Sequence, residues 1–268
     1  MSTSNLYQDP DYLRQNQYQD STHLEARAAL HRNFSTGGVD WFDWVWQKLA
    51  LQPNERLLEC GAGPGGLWAY NQARIPDGCA ITLTDLSAGM VAEAQEAVGH
   101  LPHFQFETAN IEQLPFEDDS LEVVVANHML YHVPHLDRAL AEVKRVLVKN
   151  GRFICATNGN NHMGELIQLG QATQLPLHFR SQELSFRLEN GAALLQPYFS
   201  QVERHDYDSH LAITEAEPLI AYALSYQEAR ETITPTQLEQ LRDHINSTIA
   251  AQGHLHITKA TGLFIAQV

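Results

Sequence analysis

The sequence predicts an α/β protein: a Rossmann-like, doubly wound and mostly parallel seven-stranded sheet, closed by an antiparallel C-terminal strand pair and carrying helical insertions. Three observations carry the prediction. Short apolar runs alternate with amphipathic helical segments between residues 56 and 156, a glycine-rich turn follows the first run, and two later stretches return to period-two alternation.

Ahead of the first strand the chain reads as helical. Leu24, Ala28, Leu30 and His31 recur at helical spacing, and Trp41, Trp44, Trp46 and Leu49 mark a second, aromatic-rich segment. Together they make a cap, with all four tryptophans, Trp68 included, assigned to the core. Strands are expected at 56–60, 80–84, 104–108, 121–126 and 152–156, a series that marks a parallel sheet covered on both faces. Between them Ser87 caps a helix carrying Met90, Val91, Ala94 and Val98. Leu136, Leu140, Val143 and Leu147 form a helical stripe ending near Asn150 and Gly151. Residues 158–180 mix glycines, histidines and a short apolar helix, as loop-rich insertions do. Capping boxes announce two later helices, Thr214 with Glu217 and Thr234 with Gln237, the second strengthened by Pro235. Residues 201–213 and 254–268 flank these helices as an antiparallel edge pair.

Composition narrows the classes of function. With 44% hydrophobic and 18% charged residues over 268 positions, the chain is too apolar for a disordered polymer, and no apolar run reaches membrane-spanning length. A net charge of −15 repels phosphate backbones and anionic lipid, so neither nucleic acid nor membrane is expected as a partner. Cys60, Cys79 and Cys155 form no CxxC pair and are odd in number, which argues against a disulfide or zinc framework and for a reducing compartment. The polar N-terminus lacks a cationic stretch followed by an apolar one; the expected location is the cytoplasm.

The first strand runs into Cys60-Gly61-Ala62-Gly63-Pro64-Gly65-Gly66, where bare backbone replaces side chains as a helix begins. Four glycines there weaken a helix unless a ligand packs on the main chain. Nineteen residues after Gly66, at the end of the second strand, Asp85 can accept both hydroxyls of an adenosine ribose. No GlyLysSer or GlyLysThr follows, which excludes a Walker-type phosphate loop. Glycines followed by an acid fit a nicotinamide cofactor as well as S-adenosylmethionine. Three features favour the second. Glu59 suits a cationic amine and sulfonium and repels pyrophosphate; Asn110 and Ile111 offer an amide and an apolar surface to adenine; and the fourth strand opens into the polar, aromatic cluster Asn127-His128-Met129-Leu130-Tyr131-His132 at a carboxyl end of the sheet.

The segments LLECGAGPGGLW, ITLTDLSAGM, ANIEQLPF and VVVANHMLYHVP resemble, in order, the cofactor motifs of class I S-adenosylmethionine-dependent methyltransferases of the small-molecule branch, with ITKATGLFIAQV matching the last strand pair more loosely. The resemblance implies S-adenosyl-L-methionine as cofactor and S-adenosyl-L-homocysteine as product. It places Glu59, Gly61, Ala62, Gly63 and Asn127 at the methionine moiety, Asp85 at the ribose, and Leu86, Met90, Asn110 and Ile111 around adenine. Cys60-Gly61-Ala62-Gly63 stands where relatives more often have Gly-Cys-Gly, and Asn110 where they usually have Asp. Arg27 and Tyr18, from the N-terminal segment, are expected to close over the cofactor, Arg27 by pairing with its carboxylate.

Methyl transfer needs chiefly positioning, a base for the acceptor proton and a dry chamber. His128 leads as base or orienter, with His132 and Tyr131 next, and hydrogen-bonded wall residues as the plain alternative. The fourteen histidines are scattered and show no HExxH, so no metal is expected. The expected organisation is a helical cap over 1–50, a cofactor-binding core over 51–158, and the remainder of the same domain over 159–268, with substrate-side insertions at 159–185 and 214–253. The expected partner is a small-molecule methyl acceptor, through O, N or C, with a homodimer left open. An NAD-dependent oxidoreductase and a non-catalytic nucleoside-binding protein stay as alternatives.

Overall fold

The computed structural model describes residues 8, 9, 11, 13, 22–173, 175 and 184–268. In chain order the elements are α1 (Thr22–Phe34), β1 (Ser35–Thr36), α2 (Trp41–Leu49), β2 (Arg56–Cys60), α3 (Gly66–Asn71), β3 (Ala80–Asp85), α4 (Ala88–Val98), β4 (Phe104–Thr108), β5 (Leu121–Asn127), α5 (Leu136–Val146), β6 (Leu147–Asn158), α6 (Gly164–Thr173), α7 (Gly191–Leu195), β7 (Gln201–Asp206), β8 (His210–Ile213), α8 (Ala216–Leu224), α9 (Gln227–Thr232), α10 (Pro235–Gln252), β9 (Leu255–Thr258) and β10 (Thr261–Gln267).

The main sheet has seven strands in the order β4-β3-β2-β5-β6-β10-β7. Strands β2 to β6 pair in parallel, and β10 runs antiparallel between β6 and β7. Side-chain alternation builds a core on each face. Leu58, Val124, Phe153 and Phe264 pack with α5 and α7 on one side, while Leu57, Val123, Ile154 and Leu263 pack with α2, α3 and α4 on the other. The order reverses between β2 and β5, which sets the ligand crevice at their carboxyl ends.

A second sheet, β1-β8-β9, stands beyond that rim. The stretch 201–213 breaks into β7 and β8, and 254–268 into β9 and β10, so each read-through strand changes sheet halfway. The expected edge pair is therefore two pairings, β7 with β10 and β8 with β9. Tyr207 and Lys259 lie at the two crossings. The small sheet, α1, α6, α8 and α10 enclose a third core, which includes Leu30, Leu166, Leu211, Leu219, Leu241 and Ile257.

Two boundary expectations are corrected. Helix α5 stops at Val146, and Leu147 opens β6 opposite Leu121, because parallel pairing claims the residues that would extend the apolar stripe. The Thr214–Glu217 capping box does not form: α8 starts from Glu215 with no side-chain cap. The Thr234 box does form, its hydroxyl accepting from Gln237 N–H and its own N–H donating to Gln237 Oε1 at 2.9 Å. Among the described residues no helix is long and apolar enough to cross a membrane.

Candidate active site

The turn after β2 is held by its neighbour strand. Ala62 N–H donates to Thr84 O at 2.9 Å, and Gly63 N–H to Asp85 Oδ2 at 3.0 Å, while Asp85 Oδ1 accepts from Ser87 N–H at 2.9 Å. Gly61 and Gly63 have φ of 67° and 54°, the left-handed region that glycine enters without strain. A Cβ on Gly61 would strike the Met129 side chain at 2.9 Å; one on Gly63 would meet, among the described residues, only Leu24 of α1, at 3.7 Å. Gly63 thus faces a bare cradle. Burial raises the Asp85 carboxyl, and the three main-chain donors of Gly63, Leu86 and Ser87 pull it back.

Behind the turn, Glu59 is 2% exposed. Its Oε2 accepts from the Trp68 indole N–H and its Oε1 from Asn127 Nδ2 at 2.9 Å, so both oxygens are engaged from the protein side. Burial, reinforced by the charge of Asp85, nevertheless lifts its carboxyl to about 7. Asn127 Oδ1 is buried and without a hydrogen-bond partner among the described residues. A buried acceptor left open beside a buried acid is a polar environment prepared for a donor.

Farther along the rim, Leu86 is partly buried at the end of β3 and Met90 is buried one turn into α4. Ile111 is buried in the core beside β5, and exposed Asn110 turns its Oδ1 to Glu112 N–H at 2.9 Å, leaving its amide NH2 for an outside partner. On the acceptor side, His128 follows β5 with φ of 53° and donates its N–H to Ala156 O at 3.0 Å. The His128 imidazole packs on Trp41 at 5.2 Å between ring centres. Burial and the charge of Lys259 push it down to about 4, so it is neutral near pH 7.

His132 lies in the 3-10 turn Leu130–His132, with its ring edge-on to Tyr131 at 4.6 Å. The Arg27 guanidinium lies over the Tyr226 ring at 5.4 Å. Tyr18 lies outside the described residues. Trp68 is core, as its hold on Glu59 requires, and Trp41, Trp44 and Trp46 pack partly buried against the same cluster; Trp41 also joins His128 to Tyr207. Sequence reasoning missed His162, Tyr207 and Lys259. His162 stacks on His31 at 5.8 Å, and Lys259 Nζ reaches Tyr207 and Ser35. The available signal was topological: residues flanking an antiparallel strand at the rim share the site with the carboxyl ends of its parallel neighbours. Among the described residues no three His, Cys, Asp or Glu side chains gather as a metal-holding group.

A methyltransferase-domain family model matches residues 58–155. The malonyl-[acyl-carrier protein] O-methyltransferase of Geobacter sulfurreducens is 30% identical over 204 residues, which are 69% of this chain and 76% of that protein. The chain belongs to the class I S-adenosylmethionine-dependent methyltransferases. A ubiquinone/menaquinone biosynthesis C-methyltransferase of Brucella abortus is 37% identical over 132 residues, 48% of this methyltransferase and 47% of that one. Its fold resembles the phosphoethanolamine N-methyltransferase 2 of Haemonchus contortus, solved with S-adenosyl-L-methionine, at TM-score 0.61 and 17% identity over 97% of this chain and 59% of that one. A methyltransferase from an antibiotic biosynthesis pathway of Anabaena variabilis gives TM-score 0.61 at 19% identity, over 85% and 96% of the two chains. The nicotinamide and non-catalytic alternatives are set aside. S-adenosylmethionine is the cofactor, and the site's chemistry fits it: a buried and a partly buried acid, an open Asn127 carbonyl and bare glycine backbone suit a ligand with an ammonium group, ribose hydroxyls and a sulfonium charge.

Proposed function

We propose that this methyltransferase alkylates an oxygen, nitrogen or carbon atom of a small-molecule acceptor held between the main-sheet rim and the small sheet. His128 orients the acceptor and takes its proton. The single observation that carries the reading is His128 itself, a non-glycine residue in the left-handed region, neutral by burial, next in sequence to the Asn127 that braces Glu59. Relatives named for O- and C-methylation support a small or carrier-borne acceptor.

When bound, S-adenosylmethionine supplies a methyl group already activated by its sulfonium charge. We assign Asp85 to the ribose, Glu59 with Asn127 and the backbone of Gly61, Ala62 and Gly63 to the methionine moiety, and Leu86, Met90, Asn110 and Ile111 to the adenine side. A neutral imidazole accepts a hydrogen bond from the acceptor and receives its proton as methylation makes that proton strongly acidic. Trp41, Tyr207 and Met129 exclude water around the reacting atoms. Tyr131 and His132 line the same wall, and Arg27 and Tyr18 belong to the cap over 1–50; the core over 51–158 binds cofactor, and the insertions at 159–185 and 214–253 select the acceptor. An acceptor screen with labelled methyl donor tests the reading: label transfer to small molecules that His128→Ala abolishes, with S-adenosylhomocysteine affinity kept, is the expected result. Equal loss of affinity and turnover would remove His128 from the acceptor side.

A further inference from the structure

Lys259 is 8% exposed, at the crossing from β9 to β10. Among the described residues no carboxylate lies within ion-pair distance of its ammonium. Nζ donates to Ser35 Oγ at 2.8 Å and lies 4.8 Å from the centre of the Tyr207 ring, while the Ser35 hydroxyl itself turns to His31 O. A buried ammonium has three N–H groups to satisfy and is costly without an opposite charge. One goes to Ser35 and one side rests on an aromatic face, which leaves a directed donor open among the described residues. His31 Nδ1 close by is likewise buried with no hydrogen-bond partner among the described residues.

The position is continuous with the reaction site. Thr261, two residues beyond Lys259, pairs with Asn158 at the end of β6, and Ala156 of that strand pairs with Asn127 of β5. The Trp41 ring touches both His128 and Tyr207, each at 5.2 Å between centres. The charge of Lys259 reaches His31, His128 and His162 alike. The cofactor end of the crevice is therefore acidic, and the opposite end carries the buried Lys259 ammonium, with the charge of Asp40 reaching it from beyond ion-pair distance.

We infer that the methyl acceptor carries a carboxylate-type oxyanion and that Lys259, with His31 beside it, receives that group across Trp41 from His128. The inference rests on the acceptor chamber proposed above and adds the class of acceptor. It also explains why a buried cation is kept where an apolar side chain would be more stable. Burial lowers Lys259 to about 8, so its charge, present at neutral pH, is lost as pH rises through that value in the ligand-free protein; a bound anion moves the loss upward. The other groups that face it are Asp40, His31, His128, His162 and Tyr207. The three imidazoles are held neutral and the Tyr207 phenol is raised, so none of these four changes charge between pH 7 and 9.5.

The test is a calorimetric titration of the full chain, saturated with S-adenosylhomocysteine, using benzoate and hexanoate against benzamide and hexanamide. The expected result is at least tenfold preference for the acids at pH 7, falling as pH is raised toward 9.5. Lys259→Met should abolish the preference, Lys259→Arg should keep part of it, and the ligand-free Met variant should melt at a higher temperature than the parent. Equal binding of acid and amide, a preference that survives Lys259→Met, or a lowered melting temperature showing that the lysine serves the fold would each overturn the inference. Failure of S-adenosylhomocysteine to bind, with acid selectivity intact, would instead strike the assignment of the cofactor residues.

Discussion

Replacing Glu59 by glutamine separates what this side chain does for the fold from what it does for the cofactor. Its carboxyl stands at about 7 against an ordinary 4.5 because burial disfavours the anion. The sign follows from proton binding: between those values the folded state holds a proton that the unfolded chain has released, so stability falls as pH rises. At ~1.4 kcal/mol per pH unit the loss is roughly 3 kcal/mol, complete slightly above pH 7. Glu59→Gln cannot ionise and escapes it. Glutamine also fits locally: if Asn127 turns its amide over, the open Oδ1 accepts from the new amide N–H while Trp68 still donates to the carbonyl. The ligand-free variant should therefore gain on the parent from pH 5 to just above pH 7 and then hold level to pH 8, by about 5–10 °C in melting temperature at the upper end. Over the same range the parent's affinity for S-adenosylhomocysteine, whose ammonium favours the ionised acid, should rise, and the variant's should stay low and flat. Thermal melts and calorimetry at matched pH values check both curves. A stability difference that does not change across this range would refute the claim that Glu59 is a strained, buried acid.

Asp85→Ala should weaken S-adenosylhomocysteine binding by about 10- to 100-fold in calorimetry, from the ~1.5–3 kcal/mol of hydrogen bonding to a charged group, and should also lower the melting temperature of the ligand-free protein, because the Gly63 and Ser87 N–H groups lose their acceptor. Gly61→Ala should cost about 1–2 kcal/mol of stability for a left-handed alanine, plus displacement of Met129, read by denaturant unfolding. Thr234→Ala, which removes the capping box of α10, should lower stability by ~1 kcal/mol and leave cofactor affinity unchanged, because that helix belongs to the third core.

The central sheet was legible because each of its strands is specified locally. Leu57 and Leu58, or Val123 and Val124, are apolar on consecutive positions since each faces a different helical layer. The glycine turn and Asp85 were legible because their chemistry is carried by backbone freedom and one carboxylate. The small sheet was not. Ser35–Thr36 has two residues and no periodicity, and its pairing with His210 and Leu211 is a long-range contact that no local pattern encodes. The alternation from Gln201 to Ile213 shows strand but not the break at Tyr207, where the chain leaves one sheet for another. Likewise the run from Asn127 to His132 reads as a polar cluster without a shape; the left-handed backbone at His128 and the 3-10 turn from Leu130 to His132 are not encoded in any local periodicity. Lys259 had no sequence signal as a site residue, since what marks it is burial with no carboxylate within ion-pair distance among the described residues.

The third core draws on α1 and β1 from one end of the chain and on β8, α8, α10 and β9 from the other, while the family match stops at residue 155. The residues proposed to hold the donor and this third core are thus packed in separate clusters. If that third core selects the acceptor as proposed, a change of acceptor class calls for matched changes in α1 and β1 and in β8, α8, α10 and β9, because segments far apart in sequence build one wall.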